Sequence, residues 1–376
     1  MSWRLIVITL FGGALPVACL STTWNVFVDG SGDAPTIQAA LDLVDSGDTV
    51  LVYPGTYREI PNLPFGNDLD ELTFIGAYDS EVTNIDLSDG EYAGYASFYI
   101  KNLEMSGVCF MNGSFSCNGE FSYIHDCIFR DLRACSAVEI CWPNISLAAT
   151  ENIGYSRFED NIVTGCYAVG EPNILANNVY SRGNLFSNNS IYSDIHYESA
   201  GVYRSVGTSA RIVENRFVDN YADGGIIEIT GYQQLDELII KNNIFYMTNN
   251  YGSCCTAISY WGNPIGFIEN NIFVGLRGAI GYAFSHDDPL DLPKCNIVWN
   301  VDLVTEVLTE ENWNFNVDPQ FCHAATGDFT VSDGSMCLPE NHPEGMDCGL
   351  IGIYGPGCPT PAKSTSWGRL KSIYGE

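Results

Sequence analysis

Acidic and amide side chains recur two residues after phenylalanine in this sequence. Two residues after successive phenylalanines stand Asp131, Asp160, Asn188 and Asp219. Carboxylate oxygens are ligands that calcium prefers, so carboxylates on neighbouring structural repeats could share one ion. Asp and Asn also begin turns, because their short side chains hydrogen-bond the nearby backbone. The pattern leaves two interpretations open: a calcium site at Asp131, Asp160 and Asp219, or a column of turn residues.

Two arginines stand beside the same phenylalanines and could act as bases. Arg157 and Arg216 each precede a phenylalanine by one residue. A positioned arginine can take a proton from a sugar acid. The local alternation predicts that both point outward in one strand column with Ile128 and Leu185. Residues in such a column can equally be plain surface residues of a strand, and this second interpretation stays open.

The phenylalanines themselves recur at a nearly fixed period. The series runs Phe129, Phe158, Phe186, Phe217, Phe245 and Phe273. Consecutive members are about 28–31 residues apart, a period that is typical of stacked structural units. Five residues before most of them stands isoleucine, and two residues before the last four stands asparagine. The short alternating Ile and Phe runs are typical of strands.

These repeats predict a parallel β-solenoid with about 28 residues per coil. Equivalent residues of adjacent coils should lie about 4.8 Å apart, so the apolar columns become stacked core ladders. Ile212, Ile240 and Ile268 should then form one stack. The asparagines should hydrogen-bond one another along the solenoid in the series Asn184, Asn215, Asn243 and Asn271. Loss of one apolar rung should cost roughly 2–5 kcal/mol.

The two ends of the chain differ from the repeats. Ile37, Ala40, Leu41 and Val44 follow helical spacing after Pro35. This spacing predicts a helix that covers the open end of the core. The predicted organisation is a signal peptide at 1–20, a single β-helix domain at 24–358 with a Cys-rich closure, and a short tail at 359–376.

The N-terminus and the cysteines predict export. "MSWRLIVITLFGGALPVACLS" has one Arg, a short apolar run and then small residues, as secretory signal peptides do. Cys19 after Ala18 also resembles a bacterial lipoprotein box, which makes a lipidated Cys19 one route of attachment. The chain has 14 cysteines, and disulfides persist outside the cytosol. Two disulfides are expected within the C-terminal cluster of Cys322, Cys337, Cys348 and Cys358, with the pairing left open.

The charge balance excludes some classes of partner. Sixteen Lys and Arg stand against 46 Asp and Glu, which gives a net charge of −30. Such a surface repels phosphates and anionic lipid, so nucleic acid is not an expected partner. No segment after the signal peptide approaches 18 consecutive apolar residues, so no membrane span is predicted. The tail from Pro361 carries Lys363, Arg369 and Lys371 against Glu376, and this charge break suggests an envelope attachment tail.

The chain resembles right-handed parallel β-helix proteins of the pectin-lyase-like class. "TWNVFVDGSGDAPTIQAALDLVDSGDTVLVYPGTYRE" resembles their entry strand and capping helix. "NVDPQFCHAATGDFTVSDGSMCLPENHPEGMDCGLIGIYGPGC" and "TSWGRLKSIYGE" resemble the closing segment and tail of secreted bacterial proteins with this fold. "GGII" and the phenylalanine repeats also resemble those of chlamydial polymorphic membrane proteins. The resemblance implies an all-β, right-handed parallel β-helix at a bacterial surface or secreted from it.

The resemblance leaves three functions open. Many pectin-lyase-like proteins cleave acidic polysaccharides, which would make the chain a lyase or hydrolase that uses calcium, Arg157 and Arg216. Asp287 and Asp288 in "SHDDP" are a second candidate pair, but the Gly-His-Gly and Arg-x-Lys partners of a polygalacturonase do not occur. The favoured function is non-catalytic binding of a polysaccharide or a cell-surface glycan. A structural envelope protein is the third.

Tyrosines near the two longest loops are the sequence's candidates for glycan contact. Aromatic faces stack on the apolar surface of sugar rings, and phenol groups add hydrogen bonds. Tyrosine is also simply a good strand residue. The set comprises Tyr192, Tyr197, Tyr203, Tyr246, Tyr251 and Tyr260.

Overall fold

The computed structural model describes residues 21–89, 92–133, 145–149, 156–169, 172, 174–192, 201–206, 209–230, 237–248, 255–261, 266–282, 293–302 and 308–358. The predicted signal peptide, with Cys19, and the tail at 359–376 lie outside these ranges.

Three long parallel sheets account for most of the described strands. Sheet I contains, in spatial order, Thr23–Val26, Asp48–Val52, Glu71–Gly76, Asn102–Ser106, Phe121–His125, Ser156–Glu159, Val179–Arg182, Ser209–Val213, Glu237–Lys241 and Gly266–Glu269. Sheet II contains Gly55–Arg58, Thr83–Asp86, Cys109–Met111, Ile128–Arg130, Ile162–Thr164, Leu185–Ser187, Arg216–Val218, Ile244–Tyr246, Ile272–Val274, Ile297–Trp299 and Phe315–Asn316. Sheet III contains Asn62–Leu63, Tyr92–Tyr99, Gly113–Gly119, Ile145–Ala149, Ile174–Asn177, Tyr203–Ser205, Gly225–Thr230, Thr256–Trp261 and Gly278–Tyr282.

Smaller elements surround these sheets. Sheet IV is parallel and consists of Tyr167–Val169, Ser190–Tyr192 and Tyr221–Ala222. Two pairs are antiparallel: Ser88–Asp89 with Tyr92–Tyr99, and Phe321–His323 with Asp328–Val331. Within the described ranges, the helical elements are the α-helix Ile37–Leu41 and the 3₁₀ turns Glu310–Asn312, Ala324–Thr326 and Pro339–Asn341.

The order in which the chain visits the sheets defines the fold. It passes from sheet I to sheet II to sheet III and then returns to sheet I one strand further along, so each circuit is one coil stacked on the last. Connections between parallel strands of one sheet are right-handed almost without exception. The fold is the right-handed parallel β-helix that the sequence predicts. Ile212, Ile240 and Ile268 are paired in register and at most 1% exposed, which confirms their predicted stack.

The N-terminal helix closes one end of the core, as predicted, although it is shorter than expected. It begins after the N-cap Thr36, whose side chain accepts a hydrogen bond from Ala39 N, and it ends at Leu41. The two carboxylate oxygens of Glu59 accept from the backbone N–H groups of Ile37 and Gln38 at 3.0 and 2.9 Å. The apolar face of the helix is buried in the main core.

The phenylalanine column runs along sheet II, with one correction. Phe129, Phe186, Phe217, Phe245 and Phe273 are fully buried in this column, and Phe110 precedes them. Phe158 is not a member, because it lies in sheet I opposite Ile124. Val163 takes the place between Phe129 and Phe186. The coil is therefore five residues out of phase with the predicted alignment, and the Phe158 ring, 5.7 Å from Phe129, fills core volume that the smaller valine leaves.

The predicted asparagine ladder exists and is longer than expected. From Asn161 to Asn296, each side-chain amide donates to the side-chain oxygen of the asparagine in the next coil at 2.9–3.2 Å. The ladder lies at the corner between sheets I and II, and all members are at most 3% exposed. Its members are Asn161, Asn184, Asn215, Asn243, Asn271, Asn296 and Asn314. The same side chains also bond the backbone: for example, Asn243 Oδ1 accepts from Asn215 N at 2.9 Å and the Asn243 amide donates to Ile212 O at 2.8 Å, which satisfies backbone groups that the corner removes from the sheets.

The C-terminal residues fold back over the outside of the solenoid. Residues 321–358, here called the closing segment, bury Phe329, Leu338 and Ile351 against outward-facing residues of sheet II such as Ile244 and Ile272. Asn242 and Asn270 donate to backbone carbonyls of this segment at 2.7–3.2 Å. The outer face of this part of sheet II is therefore covered.

The disulfides correct the pairing expected within the C-terminal cluster. Cys322 pairs with Cys358 inside the cluster, but Cys348 pairs with Cys295, which lies outside it. Cys337 is a buried free thiol. The closing segment brings Cys348 beside the corner that contains Cys295, and this long-range contact decides the pairing. Among the described helices, none has the length and apolar character that a membrane crossing needs.

Candidate functional site

The structure separates the three acidic residues predicted to share calcium. Asp131 and Asp219 follow sheet II, and Gly165 and Asn188 lie between them in the column. Three coil steps put their backbones about 14 Å apart. Asp160 lies at another corner, after sheet I, in line with Asp126 and Gly183. The three carboxylates are not neighbours, so a calcium ion shared among them has no geometric basis. The sequence pattern grouped Asp160 with Asp131 and Asp219 because it assigned Phe158 to the phenylalanine column, whereas Phe158 lies in sheet I.

The backbone at these residues has the geometry of a turn. Asp131, Asp160 and Asp219 have φ of 54°, 53° and 50°. These angles lie in the left-handed region that Asp and Asn tolerate better than most residues. Asp219 Oδ1 accepts from the backbone N–H and the hydroxyl of Thr248 at 2.6 and 2.8 Å. Within the described ranges, no group of three or more His, Cys, Asp or Glu is arranged to hold a metal ion.

Replacing Asp160 with asparagine should leave stability within about 0.5 kcal/mol of wild type, with or without millimolar calcium. Asn already occupies the equivalent corner at Asn242 and Asn270, with φ of 55° and 58°. Thermal melts would measure this. Asp160→Val is the control, because a β-branched residue at this φ is strained and should cost about 1–2 kcal/mol. A calcium-dependent rise in melting temperature that Asp160→Asn abolishes would restore the metal site.

The predicted basic residues lie on different faces. Arg157 is on the outer face of sheet I, whereas Arg216 is on sheet II between Leu185 and Ile244. They therefore do not share one column, which corrects the sequence interpretation. Asp287 and Asp288 lie outside the described residues.

Two of the four proposed tyrosines that the structure describes are buried. Tyr203 and Tyr260 are 1% and 5% exposed and belong to the core. Tyr246 packs against Phe329 of the closing segment at 5.4 Å. Tyr192 is 40% exposed, and Tyr197 and Tyr251 lie outside the described residues. Tyr203 and Tyr260 are buried because they occupy inward-facing positions of their strands.

The outer face of sheet I presents an alternating row of aromatic and basic side chains. Strand register places one residue per coil in this row, here called the aromatic–arginine row. Its members are Glu104, Tyr123, Arg157, Tyr180, Arg211, Ile239 and Phe267. From Tyr123 to Phe267 the row spans five coil steps, or roughly 24 Å. These positions point outward because alternate residues of each strand are buried in the core.

Carboxylates fix the basic groups on this face. Arg157 donates from Nε and Nη2 to Glu159 Oε1 at 3.0 and 2.7 Å. Arg211 donates to both carboxylate oxygens of Glu237 at 2.8 and 3.0 Å. Two charge-assisted hydrogen bonds to one carboxylate hold each guanidinium in place. Arg157 and Arg211 remain 43% and 40% exposed, whereas their partners Glu159 and Glu237 are 8% and 34% exposed, so the cations are the more accessible members of the two pairs.

A compact polar cluster lies at one end of the row. The Tyr123 ring stacks on His125 at 4.3 Å, and the guanidinium of Arg157 lies 4.9 Å from its centre. Burial and the nearby Glu159 carboxylate raise the pKa of Tyr123, so its phenol stays protonated and donates to Glu159 Oε2 at 3.4 Å. His125 lies between Asp126, 2.8 Å from Nδ1, and Glu104, 3.6 Å from Nε2.

The far end of the face also combines an aromatic ring with cations. Lys241 and Lys294 both contact the Glu269 carboxylate, at 2.6 and 3.4 Å. Burial opposes ionisation of Glu269, but the hydrogen bond from Lys241 and the two positive charges outweigh it and lower the pKa of Glu269. Lys294 also lies 5.9 Å from the centre of the Phe267 ring, which is 44% exposed.

The charge of this face differs from that of the whole chain. Five of the basic residues that the structure describes lie on it, namely Arg157, Arg182, Arg211, Lys241 and Lys294. Each contacts a carboxylate, so the positive charges are balanced locally. In a chain of net charge −30, this face stands out by its cations, each of which is paired with a carboxylate.

Sequence reasoning found Arg157 but missed its aromatic neighbours. Tyr123, Tyr180 and Phe267 have no common sequence context that marks them as a row. The available signal was strand alternation, since each of these three residues stands between two buried residues of its strand. That signal becomes useful only when the register between coils is known.

The coil register and this exposed face define a parallel β-helix protein with a polar and aromatic outer sheet. No protein-family model matches the sequence, no curated protein matches it, and the similarity to chlamydial polymorphic membrane proteins is unsupported.

Solved β-helix structures resemble the chain only distantly. Pectate lyase Pel9A shares 13% identity at a TM-score of 0.35, covering 90% of this chain and 97% of that one. A pectin methylesterase from carrot shares 11% at 0.33, covering 87% and 98%. An alginate lyase from Paenibacillus shares 14% at 0.31, covering 74% and 91%. Likeness at this level says nothing about activity.

Proposed function

We propose that the protein is a secreted or cell-surface protein that binds a polysaccharide of neutral sugars along the aromatic–arginine row. The observation that carries this proposal is the alternation of Tyr123, Arg157, Tyr180 and Arg211 on four successive coils. Tyrosine faces stack on the apolar surface of sugar rings, and the exposed parts of the arginine side chains donate hydrogen bonds to sugar hydroxyls. A sugar chain running along the solenoid axis meets both kinds of contact in turn.

Preorganisation favours binding on this face. The strands hold the backbone, and the carboxylates hold Arg157 and Arg211, so less side-chain freedom is lost on binding. The disulfides Cys295–Cys348 and Cys322–Cys358 support an oxidising, extracellular compartment.

Charge favours a neutral sugar polymer over an acidic one. The net charge of −30 repels a polyanion at long range. The cations that could offset this repulsion already contact carboxylates. A neutral chain avoids the repulsion and still uses every stacking and hydrogen-bonding group of the row.

Affinity electrophoresis would test this function. The folded protein should be retarded in native gels that contain at least one neutral polysaccharide, such as a glucan, mannan or xylan, and the retardation should change little with added salt. Gels with polygalacturonate or alginate should leave its mobility unchanged. Retardation by the acidic polymers alone, weakening steeply with salt, would contradict the proposal.

Cleavage of the bound polysaccharide is the second candidate function. It is favoured by the cluster in which His125 lies between Asp126 and Glu104, next to Tyr123 and Arg157. Such groups can move protons in a sugar cleavage. Release of reducing ends when the protein is incubated with the neutral polysaccharide that it binds would favour an enzyme, and absence of such release would favour binding alone.

A further inference from the structure

A second aromatic surface lies on sheet IV, away from the aromatic–arginine row. The rings of Tyr167 and Tyr192 have centroids 5.7 Å apart, and those of Tyr192 and Tyr221 are 4.9 Å apart. Tyr167 is 44% exposed and Tyr192 is 40% exposed. Neighbouring large rings that remain this accessible form an exposed apolar patch, and such patches often mark binding surfaces. These three residues are called the tyrosine ladder.

The strand register explains why three rings meet here. Tyr167, Ser190 and Tyr221 face one another across the three strands of sheet IV. The small side chain of Ser190 leaves a gap in this column between the two tyrosines. Tyr192 stands two residues further along the same strand and on the same face, and its ring contacts both neighbours. The result is a continuous aromatic surface across three coils.

Hydrogen bonding stabilises one end of this surface. The Tyr221 hydroxyl donates to Asp223 Oδ1 at 2.7 Å. This bond, together with burial and the charge of Asp223, raises the pKa of Tyr221 to about 12, so the phenol stays neutral. Beneath the ladder, Ala168, Ile191 and Ala222 are buried in the core, which anchors the strands that carry the rings.

The two aromatic surfaces face away from each other. Each coil that contains a strand of sheet IV runs from sheet I through sheet II to sheet IV and then to sheet III before it returns to sheet I. Sheet IV therefore occupies the corner between sheets II and III, which is the corner opposite sheet I in a three-sided coil. One straight sugar chain cannot lie on both surfaces at once.

We infer that the tyrosine ladder is a second binding site for a polysaccharide, so that one protein molecule cross-links two sugar chains. This inference rests on the proposed function and adds a site and a consequence to it. Adjoining, partly exposed phenol rings suit the apolar faces of successive sugar residues. Two sites on a rigid body that cannot reach the same chain segment lead to bridging between chains.

Light scattering of a long neutral polysaccharide would test the inference. The polymer is one that retards the protein in native gels, and the protein is added at a fixed, low molar ratio of protein to polymer. Wild type should raise the scattering severalfold, Tyr192→Ala should abolish the rise, and Tyr192→Phe should keep it because the ring is retained. Tyr192→Ala should still be retarded in the gel, since its sheet I face is intact. Tyr78→Ala, which removes a 67% exposed tyrosine elsewhere, is the control.

The outcomes separate this inference from the proposed function. Binding of two short oligosaccharides per wild-type molecule and one per Tyr192→Ala molecule, measured by calorimetry, would support the second site. Retardation of wild type in the gel, combined with equal scattering and equal stoichiometry for wild type and Tyr192→Ala, would overturn the inference and leave the proposed function standing. Failure of wild type to bind any polysaccharide would overturn both.

Discussion

Replacing Phe245 with alanine should lower the free energy of unfolding by about 3–5 kcal/mol. The ring is fully buried between two others, with centroids 4.9 Å from Phe217 and 5.1 Å from Phe273 and planes within 5° and 17° of parallel. Alanine would leave a cavity in a column that neighbouring coils cannot close, because strand register fixes the spacing between them. Urea unfolding monitored by circular dichroism would measure the loss.

Phe65→Ala is the matched control for this change. Its ring is 87% exposed and makes an edge contact with Tyr99 at 6.0 Å. The same substitution there should change the free energy of unfolding by less than about 0.5 kcal/mol. Equal effects of the two substitutions would show that the phenylalanine column does not form the core.

Replacing Asn243 with alanine should destabilise the protein by about 2–6 kcal/mol, because two buried backbone groups would each lose a partner at about 1–3 kcal/mol. The Asn243 amide donates to Ile212 O at 2.8 Å, and its side-chain oxygen accepts from Asn215 N at 2.9 Å. The side-chain bonds to Asn215 and Asn271 would also be lost, which interrupts the ladder in its middle.

Asn316→Ala provides the comparison, because this exposed residue in the last strand of sheet II lies outside the ladder. It should unfold like wild type within about 0.5 kcal/mol. Thermal or urea unfolding of both variants would measure the difference. If Asn243→Ala were as stable as Asn316→Ala, the ladder would be a consequence of the fold rather than a cause of its stability.

The repeats made the fold predictable. Ile212, Ile240 and Ile268 recur at a constant interval because each occupies the same inward position of consecutive coils. The asparagines recur because each corner needs its backbone groups satisfied in the same way. The alignment failed in one coil. There, Phe158 occupies the sheet I position that is isoleucine in several other coils, and Val163 occupies the sheet II position that is usually phenylalanine. That a residue is apolar does not by itself show which core column of the coil it belongs to.

The candidate site was much less predictable for a physical reason. Outward positions such as Tyr123, Arg157 and Tyr180 have no core to fill, so neighbouring coils need not repeat a residue type there. Their relationship appears only through register, and a five-residue phase error moved Arg157 to the wrong face. The disulfide Cys295–Cys348 was equally hidden, because it depends on how the closing segment folds over sheet II.

The central claim is that the aromatic–arginine row binds sugar, and calorimetric titration of Tyr180→Ala tests it most directly. The ligand is an oligosaccharide of the neutral polymer that retards the protein, and the control is Tyr78→Ala. Loss of one stacking ring should weaken the sheet I site about tenfold, which corresponds to about 1.4 kcal/mol, and the control should bind like wild type. A dissociation constant for Tyr180→Ala equal to that of wild type would contradict the claim.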